Sequence, residues 1–154
     1  HHERGLNVQE TDRLLVEGRS TLLRLEKLGK SVRDQDTALR LGRIVEVAGK
    51  IFDYVEERPE KAPLIRRFMG YYLPTTVKLL ETYCRLDAQD VEGENITETM
   101  RKIREVLAPI EEAFEKQLDS LFSDEALDIS TDITVLEGLL HQEGLSDDDF
   151  KQKS

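Results

Sequence analysis

Apolar residues return every three or four positions along most of the chain. That is the spacing of an amphipathic helix, and no useful stretch alternates with the two-residue period of a strand. The first stripe is Leu15, Gly18, Leu22, Leu25, Gly29 and Val32, which predicts a helix from about Gln9 to Val32. Two of its positions are glycine, each costing roughly 1 kcal/mol against alanine in a helix interior. The expected return is close approach of a neighbouring backbone, although Gly29 also suits a fray or a break.

The stripe loses register across Arg33-Asp34-Gln35-Asp36, where either Asp34 or Asp36 can cap the next helix. That second helix runs to about Glu57 on Leu41, Ile44, Ala48, Ile51 and Val55, widened by Val45 and Phe52. Arg58-Pro59 ends it, because a residue before proline avoids the α region. A third segment starts near Pro63 and presents Leu64, Ile65, Phe68, Met69 and Tyr72. Pro74 interrupts it, having no N–H and a ring that crowds the preceding turn, so the helix kinks or restarts there. The stripe then resumes with Val77, Leu80 and Cys84, to about Ala88.

The fourth helix has the clearest seam: Ile96, Met100, Ile103, Leu107, Ile110 and Phe114, shifting by one to Leu118 and Leu121. Asn95 or Thr97 can cap it, and Pro109 predicts a mild bend. A shorter last helix places Ile133, Leu136 and Leu140 on one face, starts near Thr131 or Asp132, and stops at Gly144. Short connections between long helices favour antiparallel neighbours. The predicted fold is therefore all-α: an elongated antiparallel bundle of four to five long helices, with coiled-coil-like packing and a third helix kinked at Pro74. Residues 9–145 read as a single helical domain. Residues 1–8 read as a tag remnant and disordered N-terminus, and 146–154 as an acidic, frayed tail.

Composition agrees with long solvated helices: 35% of the 154 residues are charged against 38% hydrophobic, with no Trp. Charge is uneven. Residues 1–84 carry 15 Lys and Arg against 13 Asp and Glu, a net of +2; residues 85–154 carry 7 against 19, a net of −12. An acidic half argues against a nucleic-acid partner, which needs a positive face. It either meets a basic protein surface or simply solvates the chain. Cys84 is the single cysteine, so an internal disulfide is excluded and a reducing, cytoplasmic setting is expected. No apolar run approaches the roughly 20 residues of a membrane span. The opening His1-His2 resembles the end of a purification tag, and a native segment is expected before Glu3.

Several fragments imitate catalytic motifs and fail on context. Gly29-Lys30-Ser31 ends like a phosphate-binding loop, but the earlier glycine position holds Arg24 and the preceding residues read as helix. Asp34-Gln35-Asp36-Thr37 resembles an aspartyl-phosphate motif, yet two carboxylates at a helix start are explained by capping and the helix dipole. Glu137 and His141 lie four apart and supply half a metal site, with no second His outside the apparent tag. Cys84 continues a helix stripe, and Asp90 stands where a tyrosine-phosphatase signature needs Arg. No catalytic residue, metal ligand set or cofactor is assigned. The oddest stretch is Arg66-Arg67-Phe68-Met69-Gly70-Tyr71-Tyr72-Leu73-Pro74-Thr75-Thr76. Here Arg66, Arg67, Tyr71, Tyr72, Pro74, Thr75 and Thr76 form a candidate anion pocket, because a kink exposes backbone groups and Arg with hydroxyls can hold an anion. The competing reading is that a threonine satisfies freed carbonyls while the tyrosines pack and the arginines face solvent.

The run Tyr71-Tyr72-Leu73-Pro74-Thr75-Thr76-Val77-Lys78-Leu79-Leu80, followed by Tyr83, resembles the bacterial XpaC-like family of 5-bromo-4-chloroindolyl phosphate hydrolysis proteins. The likeness continues through Ala113-Phe114-Glu115, Leu121-Phe122 and Leu127-Asp128-Ile129, with Ile51-Phe52 and Pro59 upstream, and covers roughly residues 15–145. The resemblance implies a phenotype, hydrolysis of a chromogenic phosphate, and supplies a signature rather than catalytic residues. It implies an N-terminal hydrophobic region that anchors full-length members to the cytoplasmic membrane. It also implies a TelA-like toxic-anion-resistance protein as partner. The leading expectation is a non-enzymatic helical interaction protein in a bacterial stress or envelope role. The alternative is a phosphatase acting on aryl phosphates, and self-association through the seams is a further expectation.

Overall fold

The computed structural model describes residues 8–144. Of the segment 1–8 read as a tag remnant and disordered N-terminus, only Val8 is described, and it opens the first helix; the reading of 1–7 and that of 146–154 as a tail lie outside the described residues. Regular structure among the described residues is entirely helical. In order it comprises α1 (Val8–Lys30), α2 (Gln35–Glu57), a 3-10 segment (Pro59–Ile65), a π-helical turn (Phe68–Tyr72), α3 (Leu73–Asp87), α4 (Glu94–Ser120) and α5 (Ser123–Gln142). The chain divides into two compact units after Leu121.

In the first unit, α1 packs on α2 and α3, and α4 packs on the same two helices. The predicted stripes supply much of the core: Leu25 from α1, Leu41, Ile44, Ile51 and Phe52 from α2, Leu80 from α3, and Ile103, Leu107 and Phe114 from α4, joined by Leu28 and Leu73, which lie outside the predicted stripes. Phe68 ties three elements together. Its ring lies 5.9 Å from Phe52 and packs edge-on against Phe114 at 4.9 Å, a favoured geometry for aromatic pairs.

Glycine at position 18 is explained by close approach, but to side chains rather than backbone. A Cβ there would stand 2.5 Å from Phe52 and 2.6 Å from Met69. Towards the other end of α1, Gly29 faces Leu41, so contacts on α2 step backward as α1 advances and the two helices run in opposite directions. Gly29 marks no break, since α1 continues to Lys30. Ion pairs line the helix boundaries: Arg19 with Asp53 and Glu56, Arg24 with Glu81, and Arg40 and Arg43 with Glu111 and Glu115. They are solvent-facing, so they contribute register more than stability.

Local stops and starts have identifiable causes. Asp34 caps α2: its Oδ2 accepts from the Thr37 backbone N–H at 3.0 Å and from the Thr37 hydroxyl at 2.6 Å. Those two bonds, the hydroxyl first, hold its carboxyl below the usual range. Arg58, fixed by Pro59 in an extended-like conformation (φ −131°, ψ 76°), ends α2. Gly93 rather than Asn95 or Thr97 is the N-cap of α4; its carbonyl accepts from the Thr97 N–H. Gly144 takes a left-handed conformation (φ 72°) just past α5, the expected stop.

The third segment departs most from expectation. It is a 3-10 helix, then an α-helical step at Arg66-Arg67 and a π turn, and it settles into a continuous α-helix only at Leu73. Two prolines, Pro59 and Pro63, lie in the 3-10 stretch, where each removes a donor that a longer α-helix would need. The tighter 3-10 winding changes the phase of the side chains. Ile65 and Phe68 are buried as predicted, whereas Leu64 is 54% exposed and Tyr72 41%.

The second unit contains α5. This helix begins at Ser123, about two turns before the predicted start near Thr131, and it buries none of its residues. Ala126, Ile129, Ile133, Leu136 and Leu140 follow one another in steps of three and four along one face. Leu127 and Val135 lie off that face and are also exposed.

Candidate functional site

The signature block occupies the change from π turn to α3. Pro74 has no N–H to offer the preceding turn, and it sits in the first turn of α3, where a missing donor is tolerated. Just before it the hydrogen bonding lengthens by one residue: the Leu73 N–H donates to the Phe68 carbonyl. Such π turns are wide and mark functional positions often enough to merit a close look. Leu73 and Val77 anchor the segment in the core, while Gly70, Tyr71 and Tyr72 are turned outward.

The seven predicted residues divide into three environments. Arg67, Tyr71 and Tyr72 come together. The two tyrosine rings meet edge-on at 5.7 Å, and the Arg67 guanidinium lies 5.9 Å from the Tyr72 ring centre. At 58% and 41% exposure, Tyr71 and Tyr72 form a surface patch rather than the wall of an enclosed pocket. Arg66 points elsewhere, into an open groove of about 330 Å³ shared with Glu10, Arg13, Leu14 and Glu17 of α1 and with Met69 and Gly70. Two carboxylates and two guanidiniums line that groove, so its field does not select an anion by net charge. Thr76 is only 2% exposed, and its hydroxyl donates to the Tyr72 carbonyl at 2.7 Å. That is the ordinary bond of a helical threonine to the carbonyl four residues back; the carbonyl that Pro74 would leave without a donor in an α ladder is that of Gly70. Thr75 is half-buried and Pro74 exposed.

Chemistry elsewhere is correspondingly quiet. Burial, with the charge of Asp87 adding, pushes the Cys84 thiol upward, away from the thiolate form, and its Sγ lies 3.6 Å from the Leu28 carbonyl. Among the described residues, no three His, Cys, Asp or Glu side chains are gathered as a metal site would require. No helix among them is long and apolar enough to cross a membrane. The feature the sequence reading missed is the extent of α5 and its uncovered apolar face. A signal was present in the spacing of Ala126, Ile129 and Ile133, hidden by a junction at Leu121-Phe122 that carries neither Gly nor Pro.

These features define an all-α protein whose irregular junction carries an exposed tyrosine and arginine patch. A family model described as 5-bromo-4-chloroindolyl phosphate hydrolysis protein matches residues 1–136, and the chain belongs to that family. No curated protein and no solved structure matches it.

Proposed function

We propose that this protein is a non-enzymatic helical interaction protein. Its long helices would pack in a coiled-coil-like bundle and present faces to a protein partner. The observation that carries this reading is α5, a 20-residue helix with six exposed large apolar side chains and no buried residue. An apolar stripe at helical spacing is costly to leave in water and is ordinarily the half of an interface. Tyrosine and arginine, the pair exposed at the π turn, are also residue types enriched where binding energy concentrates. The resemblance carried by the Tyr71–Leu80 run makes a TelA-like toxic-anion-resistance protein the first partner to test, on the cytoplasmic face of the membrane. The test is a pull-down with the full-length protein against that partner. Specific recovery supports the reading, and its absence with the intact N-terminal region present counts against it.

The family description favours a second reading, hydrolysis of aryl phosphates. It would place the anion beside Arg67, Tyr71, Tyr72 and Thr75, the residues of the junction that reach the surface. Purified protein with a chromogenic phosphate, with and without Mg²⁺ or Mn²⁺, tests it. Turnover abolished by Arg67→Ala would establish this reading over the first.

A further inference from the structure

We infer that the apolar face of α5 is a docking seam for a cationic amphipathic helix of a partner protein, a proposal that rests on the interaction reading above. Its residues Ala126, Ile129, Ile133, Leu136 and Leu140 occupy alternate a and d positions of a heptad pattern, the period at which two helices bury a shared stripe. Ile129, Ile133 and Leu136 stand 56%, 50% and 55% exposed, so the stripe is uncovered along its middle.

Charge selects the occupant. Residues 123–142 include five Asp and Glu and no Lys or Arg. Asp132 and Glu137 fall on the positions that flank the stripe, where a facing helix places its own charged residues. A second copy of α5 fits poorly. Paired in parallel, Asp132 of one helix would face Glu137 of the other; paired antiparallel, acidic flanks would again meet acidic flanks. Like charges in these positions are the usual means of rejecting a self-pairing. A helix with apolar a and d residues flanked by Lys or Arg meets both requirements, burying the stripe and neutralising its rims. β-branched Ile129, Thr131, Ile133, Thr134 and Val135, with Gly138, give α5 weak intrinsic helicity, so docking also stabilises the helix itself.

The test uses the whole protein and two labelled 21-residue peptides with Leu at a and d, one with Lys and one with Glu at the flanking positions. In fluorescence anisotropy the Lys peptide binds and the Glu peptide does not. Binding weakens several-fold as salt rises from low to physiological strength. Ile133→Glu lowers affinity at least about tenfold, since a charge would be buried in the seam. The double reversal Asp132→Lys with Glu137→Lys transfers preference to the Glu peptide without touching the stripe. Equal binding of both peptides, or unchanged binding by Ile133→Glu, overturns the proposal. So does a dimer in sedimentation that Ile133→Glu dissolves, which would make a second copy the occupant. Strong amide protection of α5 in the free monomer also overturns it, because the face would already be covered. A partner captured equally by wild type and Ile133→Glu overturns the seam while the interaction reading stands. Phosphate turnover dependent on Arg67 overturns that reading itself.

Discussion

Helices α4 and α5 carry the same kind of apolar stripe and meet different fates. In α4, Ile103, Leu107 and Phe114 are buried against α2 and α3, and arginines of α2 reach across to Glu111 and Glu115. In α5 the stripe is less sharply set off, with Leu127, Val135 and Leu139 exposed beside it, and it buries nothing. The difference teaches that periodicity reports a demand for a partner and not the partner's whereabouts. When the partner lies in the chain the stripe becomes core. In α5 the stripe stays at the surface.

The contrast can be broken by substitution. Phe114→Ala should cost about 3–5 kcal/mol in chemical denaturation, because it empties the edge-on contact with Phe68 at a site 1% exposed. A loss below about 1 kcal/mol would show that α4 is not the tightly packed member of the pair. Gly18→Ala should come next, at about 1–3 kcal/mol, despite the better helix propensity of alanine, because the new methyl meets the Phe52 ring. If instead the variant is more stable than wild type, the α1–α2 approach is looser than described. Ile133→Ala on α5 should change stability by no more than about 0.5 kcal/mol, as surface substitutions do. A larger effect would mean that α5 is part of a core.

A smaller effect concerns acid. The Asp34 carboxyl is held low by its bonds to Thr37, so the folded state binds its proton less readily than the unfolded chain. Its contribution is therefore fully present above about pH 4, near the unfolded value, and is lost as pH falls through the lower folded value. Asp34→Asn keeps a capping oxygen without the titration, so its midpoint temperature should fall less than wild type on going from pH 5 to pH 3. Identical acid sensitivity would remove Asp34 from the account.

Much of the first unit was readable from spacing. The stripes of the first, second and fourth helices became core because α-helical period and burial coincide there, and Asp34 capped as its chemistry suggests. The third segment was not readable in detail, since Pro59, Pro63 and Pro74 forbid a continuous α ladder without saying which alternative winding replaces it. Leu64 and Tyr72 were placed on the wrong face for that reason. At the candidate site, the sequence identified an unusual junction, within which the Thr76 hydroxyl bonds the Tyr72 carbonyl. Which residues share a face depended on the π turn, which places Arg67 with the tyrosines and Arg66 against α1. The length of α5 escaped notice because β-branched residues mute its helical signal and no stop residue separates it from α4.

Cys84 gives the molecule a built-in reporter. It is the one thiol in the chain, held on α3 against the Leu28 carbonyl of α1 in a form reluctant to ionise. Cys84 is half-exposed, so a thiol reagent reaches it in the folded chain, slowed by the reluctance of the thiol to ionise. The unaltered protein thus carries its own reporter at the α1–α3 boundary, and a ligand or partner that covers this boundary will announce itself as a slower reaction.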